Sequence, residues 1–321
     1  MTPRYARLAL IAAQVVAIGA AAWFLVTTAR DAWPSLARFR IAPAPLPLLA
    51  ASLLTAAMYF FLIGTWVASL RWWGGAQRLA YRDAVSIWFL TNLARFIPGT
   101  VWQFAGLGVM ASRRGISPVA ATGALLLQQV VLLATGLLLT IALAPELIGP
   151  WTAGAPHGSL IALAALGAAA FIWGFPRAAS GLRSLTARLF KREFVWPAPP
   201  VREFGAYVAI LVLPWLAYGV AFWLFGRSVL GSLAPGLLLA VAAFTASYVA
   251  GIVAVFAPGG IVVREAELVA ALAPQVGPDS ALLLAVGSRL WLVALELATA
   301  LIALALVRPP RTPTTRPLSQ P

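Results

Sequence analysis

Cysteine is absent from this 321-residue sequence, and histidine occurs only once, at His157. The lack of cysteine excludes disulfide bonds, thiolate metal sites and a cysteine nucleophile, and a single histidine cannot make up a metal site. Charged residues are scarce as well, at 10% of the chain, whereas 62% of the residues are hydrophobic. Soluble domains are far less apolar and far more charged, so this composition excludes a water-soluble fold. We therefore predict a membrane protein with no metal ion and no other cofactor.

The charge that is present has mostly one sign. The chain has 23 lysine and arginine residues against 9 aspartate and glutamate residues, which gives a net charge of +14. Such an excess would suggest nucleic acid for a soluble protein, but here the basic residues fall in short stretches between long apolar runs. Cytoplasmic loops of membrane proteins have this pattern, so we predict no nucleic-acid partner. The basic stretch at residues 177–202 could attract anionic lipid, although topology alone accounts for it.

Long apolar runs predict the membrane-crossing helices. A bilayer core about 30 Å thick needs about 20 apolar residues in a helix, because backbone groups in lipid must be hydrogen-bonded within the segment. Six runs approach or exceed this length: residues 8–27, 45–70, 118–143, 159–174, 204–225 and 280–307. The first run is longer than the apolar core of a signal peptide, so we expect an uncleaved helix. Residues 1–307 thus form one all-α polytopic membrane domain, and the proline-rich residues 308–321 form a disordered cytoplasmic tail.

Two further apolar regions are short and are broken by proline and glycine, which together end a helix. The first has arms at residues 83–97 and 100–111 on either side of Pro98 and Gly99, and the second has arms at residues 235–256 and 261–272 on either side of Pro258, Gly259 and Gly260. Each arm is too short to cross a bilayer comfortably. We therefore predict two re-entrant helical hairpins, each of which enters and leaves on one side, so that hydropathy finds about eight helices in all.

The positions of arginine and lysine test this topology. If the N-terminus is inside and each hairpin returns to its own side, the inside segments carry sixteen basic residues and the outside segments carry four. Arg30, Arg38 and Arg40 are three of these four, and they weaken the agreement in one loop. The overall asymmetry predicts a multi-pass protein of the inner or plasma membrane with both termini in the cytoplasm.

The two halves of the chain have the same order of segments. Residues 45–143 and residues 204–307 each contain a span, a broken hairpin and another span, in opposite predicted orientations. Gln129 and Arg289 lie the same number of residues after the proline of their own half. Matching short segments interrupted by proline and glycine are a sequence indicator of the binding site in transporters with inverted repeats. We therefore predict an inverted repeat.

The broken hairpins also predict where a substrate binds. A broken helix at membrane depth exposes amides and carbonyls, which are tolerated where protein or a water-filled cavity receives them. The free amides of the helix that follows each break could bind an anionic head group. The alternative is a proline kink packed between helices. The candidate binding residues at the breaks themselves are Pro98, Gly99, Pro258, Gly259 and Gly260.

Polar side chains near the breaks extend this candidate site, because a charge at mid-bilayer costs about 3 kcal/mol and usually has a partner or a role. They are Arg95, Trp102, Gln103 and Gln129 in the first half, and Arg264, Glu265, Glu267, Arg289 and Glu296 in the second. Arg289 and Glu296 are seven residues apart and should share the face that points into the bundle. Several simpler interpretations remain open for the other residues.

Arg95 could instead extend to the cytoplasmic interface, and Arg264 could pair with Glu267 one turn away. Arg289 could bind Glu265, Glu267 or a substrate phosphate. Gln129 and the adjacent Gln128 could line a pathway or only hydrogen-bond neighbouring helices.

Three stretches of the sequence resemble a known family. Arg95-Phe-Ile-Pro-Gly-Thr-Val-Trp-Gln103, followed by Arg113-Arg-Gly-Ile-Ser-Pro118, and Ala257-Pro-Gly-Gly-Ile-Val-Val-Arg-Glu265, with Arg289, are similar to the lysylphosphatidylglycerol synthase transmembrane family of flippase type. The resemblance covers residues 45–307. It implies movement of a lipid between leaflets without lipid synthesis, because the chain has no room for the soluble synthase domain. Gln128-Gln129 departs from the family, whose members often carry glutamate there, which puts an ion-coupled role of this position in doubt.

The sequence therefore favours flippase-like translocation of a phosphate-bearing lipid or a lipid-linked head group, with anionic membrane lipids as partners. A membrane-embedded lipid-modifying enzyme is an alternative, but the membrane acids are few and no catalytic constellation is apparent, so we predict no catalytic residue. A third possibility is an accessory membrane subunit of a glycosyltransferase or export system. A homo-oligomer or a glycosyltransferase partner is compatible with the transporter and with the accessory subunit.

Overall fold

Helix is almost the only secondary structure in the described part of the chain. The computed structural model describes residues 43–73, 79–93, 101–144, 147, 156–190, 196–197, 199–253 and 263–306, together with residues 23, 27 and 30. Of these residues 90% are helical, and none is in a strand. The described helices are α1 (Pro45–Ser69), α2 (Tyr81–Leu93), α3 (Val101–Ser112), α4 (Pro118–Leu143), α5 (His157–Phe190), α6 (Val201–Ile210), α7 (Leu213–Leu230), α8 (Leu237–Val253), α9 (Val263–Val276) and α10 (Pro278–Leu306).

Five helical stretches are long and apolar enough to cross a membrane: Pro45–Trp72, Pro118–Leu143, Gly158–Gly181, Val201–Leu233 and Pro278–Ala305. They correspond to five of the six predicted spans, and the membrane-embedded class is therefore confirmed by length and composition. The predicted span at residues 8–27 lies outside the described residues except for Trp23 and Thr27. The stretch Val201–Leu233 is made of α6 and α7, with a turn at residues 211–212 between them.

The fourth predicted span is longer than its apolar run. The sequence predicted residues 159–174, but α5 continues past Pro176 to Phe190. Proline removes a single backbone donor inside a helix, so the backbone hydrogen bonds on either side of it can continue the helix. Hydropathy detects only the apolar part of such a helix, so the predicted end was too early.

The two broken regions each contain a pair of short helices, α2 with α3 and α8 with α9. The segments between the paired helices, residues 94–100 and 254–262, lie outside the described residues. In the first pair, Asp83 near the start of α2 forms an ion pair with Arg114 just after α3. In the second pair, the backbone amide of Gly236 before α8 donates to the side-chain carbonyl of Gln275 in the last turn of α9, at 3.2 Å. Each pair is therefore antiparallel, with its outer ends joined.

The first spans of the two halves are antiparallel to each other. At one end, the Trp72 indole N–H donates to the Glu203 carboxylate at 3.1 Å, which joins the end of the first span to the start of α6. At the other end, the amide of Ala44 donates to the carbonyl of Ser228 at 2.9 Å, which joins the start of α1 to the end of α7. The second half of the chain thus begins in the direction opposite to the first.

Helix contacts in the two halves match one another. α1 packs on α2, α2 on α3 and α3 on α4, and the equivalent neighbours in the second half are α7 with α8, α8 with α9 and α9 with α10. Contacts between the halves are reciprocal too, because α4 packs on α8 and α10 packs on α2. Glycine permits the closest of these approaches: a Cβ on Gly219 in α7 would lie 2.6 Å from the Cα of Val241 in α8.

Candidate functional site

The inner end of α9 carries a buried charged cluster. Arg264 and Glu265 lie in its first turn, and Arg289 reaches Glu265 from the middle of α10. An Arg289 Nη1 donates to Glu265 Oε1 in an ion pair. Only 8% of Arg264 and 8% of Arg289 is exposed, so both guanidinium groups are removed from solvent and lipid. The first turn of α9 and the middle of α10 thus carry two buried arginines, of which Arg289 is paired with Glu265.

Arg264 lies against two aromatic rings of α8. Its guanidinium carbon is 5.4 Å from the centroid of Phe244 and 5.6 Å from the centroid of Tyr248. The two rings are four residues apart and therefore adjacent on one face of α8. A desolvated cation over an aromatic face is stabilised by about 2 kcal/mol. The rings provide a favourable environment for a charge that would otherwise be costly at membrane depth.

The first short-helix pair has a hydrogen-bond network of two uncharged amide side chains that ends at a glutamate carboxylate. Gln103 Nε2 in the first turn of α3 donates to Asn92 Oδ1 in the last turn of α2, at 3.2 Å. Asn92 Nδ2 in turn donates to Glu296 Oε1 on α10. Asn92 is 6% exposed and Glu296 is 2% exposed. The network therefore joins both helices of the first pair to the last span inside the protein.

One face of α10 serves both clusters. Arg289 and Glu296 are seven residues apart, two helical turns or about 10 Å along the axis. The prediction that both face the bundle interior is confirmed by their burial. Arg289 binds the second short-helix pair and Glu296 binds the first. The last span is thus the common partner of both broken regions.

The remaining predicted site residues are placed elsewhere or are outside the described residues. Trp102 is 53% exposed at the start of α3. Gln129 and Glu267 are half-buried, and within the described residues no ion pair joins Glu267 to Arg264. The predicted residues in the segments that are not described are Arg95, Pro98, Gly99, Pro258, Gly259 and Gly260.

Gln128, next to the predicted Gln129, joins two spans. It is 1% exposed, and its amide donates to the carbonyl of Leu62 at 2.8 Å and to Thr65 Oγ1 at 2.6 Å. Both acceptors are on α1, so this residue has the helix-to-helix role that was one of the two interpretations open from the sequence.

Asn92, Phe244 and Tyr248 were not predicted as site residues. Asn92 offered a signal, because an amide in an apolar membrane segment needs a partner just as a glutamine does. Phe244 and Tyr248 offered none, since aromatic residues are common in membrane helices and their contact with Arg264 depends on how α8 packs against α9.

Two open grooves lie on the described surface, and neither contains a member of the polar clusters. One, of about 460 Å³, is lined by Phe104, Ala105, Gly108, Val109, Ser112, Pro118 and Thr122. The other, of about 410 Å³, is lined by residues of α1, α2 and α10: Ser52, Leu53, Ala56, Phe60, Val85, Leu295, Ala298, Thr299, Ile302 and Ala303. Both linings are largely apolar, so neither groove brings together the polar residues of the two buried clusters.

The described residues include no group of three or more histidine, cysteine, aspartate or glutamate side chains that could hold a metal ion. The chain matches no protein-family model, no curated protein and no solved structure.

Proposed function

We propose that this protein is a flippase-like transporter that moves a phosphate-bearing lipid, or a lipid-linked head group, between the two leaflets. The observation that carries the proposal is the shared face of α10, where Glu296 binds the inner end of one short-helix pair and Arg289 binds the inner end of the other. Buried charge at two such ends is costly and is usually functional in a membrane protein.

The arrangement of the short helices supports a two-sided pathway. In the described residues α2 has 13 residues and α3 has 12, which is about 20 Å and 18 Å of helix against a bilayer core about 30 Å thick. We infer that each pair is a re-entrant hairpin, that the first opens to the cytoplasm and that the second opens to the exterior. The two inner ends would then face each other across the middle of the membrane.

The charged cluster of the second pair suits a phosphate. The planar guanidinium group of arginine presents a fork of N–H donors that matches phosphate oxygens. Arg264 on α9 and Arg289 on the adjacent α10 are both buried. Glu265 already holds Arg289, so a phosphate would compete with this carboxylate for one guanidinium group. Competition of this kind permits release, which a transporter needs as much as binding. The acyl chains would remain in the surrounding lipid.

The alternative functions predict different behaviour. An enzyme needs a positioned acid or base, whereas Glu265 is bound by Arg289 and Glu296 is bound by Asn92. An accessory subunit of a glycosyltransferase or an export system would co-purify with its partner and would move no lipid alone. We propose an inner or plasma membrane location with cytoplasmic termini, in agreement with the distribution of basic residues and with the family resemblance.

Reconstitution tests the proposal. The purified protein is placed in liposomes with fluorescent phosphatidylglycerol, and dithionite quenching measures how fast the probe changes leaflets. We expect movement by the native chain, and a fall of about tenfold in Arg264→Gln, because the loss of one charge-assisted hydrogen bond costs about 1.5–3 kcal/mol. Arg227→Gln is the matched control, since Arg227 is exposed at the end of α7 and lies over Trp223 at 6.0 Å. No movement by the native chain, or equal effects of the two variants, would contradict the proposal.

A further inference from the structure

Asn92 is hydrogen-bonded to two of the helices against which α2 packs. Its side-chain carbonyl accepts from Gln103 on α3, and its amide donates to Glu296 on α10. The amide nitrogen of Asn92 faces Glu296 and its carbonyl oxygen faces Gln103, so one side chain uses both its donor and its acceptor between two other helices. One carboxamide therefore sets how three helices lie relative to one another.

Burial makes this arrangement specific. Asn92 is 6% exposed and Glu296 is 2% exposed, so water does not compete for these bonds. An apolar replacement of Asn92 would remove one donor from a buried carboxylate and one acceptor from Gln103, and buried polar groups that lose partners are strongly unfavourable. Neighbouring Thr91 is buried to a similar degree, but its hydroxyl donates to Ile87 and Trp88 of its own helix and makes no such link.

We propose that Asn92 is the positioning residue of the first short-helix pair, because it fixes α2 and α3 against Glu296 of α10. The same helix α10 holds the second pair through Arg289 and Glu265. It therefore keeps the two pairs at a set position relative to each other. The helix between the two attachment points, Arg289 and Glu296, is continuous and has no internal proline or glycine. A displacement of one pair is then transmitted to the other. The inference rests on the proposed function only for its effect on lipid movement.

An exchange of isosteric residues tests the role of Asn92. Asn92→Asp places two carboxylates against each other, whereas the double variant Asn92→Asp with Glu296→Gln reverses the bond, because the new glutamine amide donates to the new aspartate. Gln103 can donate to the aspartate in both variants. Since the chain has no cysteine, spin labels can be attached at Ala105→Cys on α3 and Ala298→Cys on α10, both exposed, and their separation measured at pH 8 by double electron–electron resonance.

We expect a narrow distance distribution in the native background and in Thr91→Val, a broad or shifted one in Asn92→Asp, and a return to the native one in the double variant. A second label pair, Ala105→Cys on α3 and Ala270→Cys on α9, measures the separation of the two short-helix pairs and should broaden or shift with Asn92→Asp as well, which a defect confined to the contact with α10 would not cause. If Asn92→Asp does not fold, recovery of folding by the double variant alone also supports the proposal. An unchanged distribution in Asn92→Asp, or no recovery in the double variant, overturns it.

Lipid movement separates this proposal from the proposed function. We expect the rate to fall about tenfold in Asn92→Asp and to recover in the double variant. Recovery of the distances without recovery of lipid movement would show that the carboxylate of Glu296 itself contacts the substrate, and the positioning role would not extend to transport. Native distances in a protein that moves no lipid would contradict the proposed function and leave the positioning role supported.

Discussion

Arg289 on the last span donates to Glu265 in the first turn of α9, and this ion pair joins two helices at a buried point of the fold. Their side chains are 9% and 16% exposed, respectively. An ion pair with so little exposure behaves differently from one at the surface, because removal of one partner leaves the other charge buried without it.

Removal of one partner of this pair should therefore destabilise the protein more than removal of both. We expect Glu265→Gln to lower the free energy of unfolding by about 3 kcal/mol, and the double variant Glu265→Gln with Arg289→Gln to lower it by less than Glu265→Gln alone. Chemical unfolding in mixed detergent measures these differences.

Glu203→Gln is the matched control. Arg71 and Glu203 also form an ion pair, at 3.1 Å, but their side chains are 61% and 44% exposed. Exposed pairs contribute at most about 1 kcal/mol, so Glu203→Gln should have a small effect. Equal effects of Glu265→Gln and Glu203→Gln would show that the inner pair is no more important than the outer one.

The aromatic rings beside Arg264 should contribute through their faces and not through the tyrosine hydroxyl. We expect Tyr248→Phe to retain stability and lipid movement, because the ring remains, and Tyr248→Leu to lose about 1–2 kcal/mol of stability. Phe244→Leu removes the other ring beside Arg264, and Phe222→Leu is its packing control. The two phenylalanine rings are both buried, with centroids 5.5 Å apart, and Phe244 is the one beneath Arg264. If Phe222→Leu and Phe244→Leu have the same effect, the contact with the cation is not important.

The close approach of α7 and α8 should not tolerate a side chain at Gly219. A Cβ there would lie 2.6 Å from backbone of Val241, so the helices must separate, and we expect Gly219→Ala to cost about 1–3 kcal/mol. A Cβ on Gly167 in α5 meets nothing within 4 Å. Gly167→Ala should therefore be neutral or stabilising by up to about 1 kcal/mol, because alanine favours helix over glycine. Thermal unfolding in detergent measures the stability of both variants. Equal stabilities of Gly219→Ala and Gly167→Ala would contradict this prediction.

The inverted arrangement predicts that the outer ends of the two short-helix pairs lie on opposite sides of the membrane. Ser112→Cys, at the end of α3, and Ser232→Cys, just before α8, are both at exposed positions in a chain without native cysteine. In intact cells we expect a membrane-impermeant maleimide to label Ser232→Cys and to reach Ser112→Cys only after permeabilisation. Labelling of both residues from one side would contradict the two-sided pathway.

The length and hydropathy of the apolar runs were sufficient to predict five of the spans, because a helix in lipid must satisfy its own backbone and must be long enough to cross. The same rule failed for the end of α5, where the helix continues beyond Pro176 into residues that are no longer apolar. The seven-residue spacing of Arg289 and Glu296 was sufficient to place both on one face of α10, since helical periodicity is a local property.

Which partner each polar residue binds depended on tertiary structure. Glu265 and Glu267 were equally plausible partners of Arg289 in the sequence, but two residues on a helix differ by about 200° in direction, and α9 packs so that Glu265 faces α10. Gln128 and Gln129 differ by about 100° for the same reason, and the packing of α4 against α1 turns Gln128 inward.

Composition and periodicity by themselves determined that this is a helical membrane protein, where five of its spans lie and which face of the last span carries charge, and they predict that two short regions are interrupted. Only the tertiary structure decided that the last span binds both interrupted regions, through Glu296 and Asn92 in one and through Arg289 and Glu265 in the other. The physical reason is that local sequence sets the direction of a side chain about its own helix, whereas contacts between residues up to 204 positions apart depend on how the helices pack.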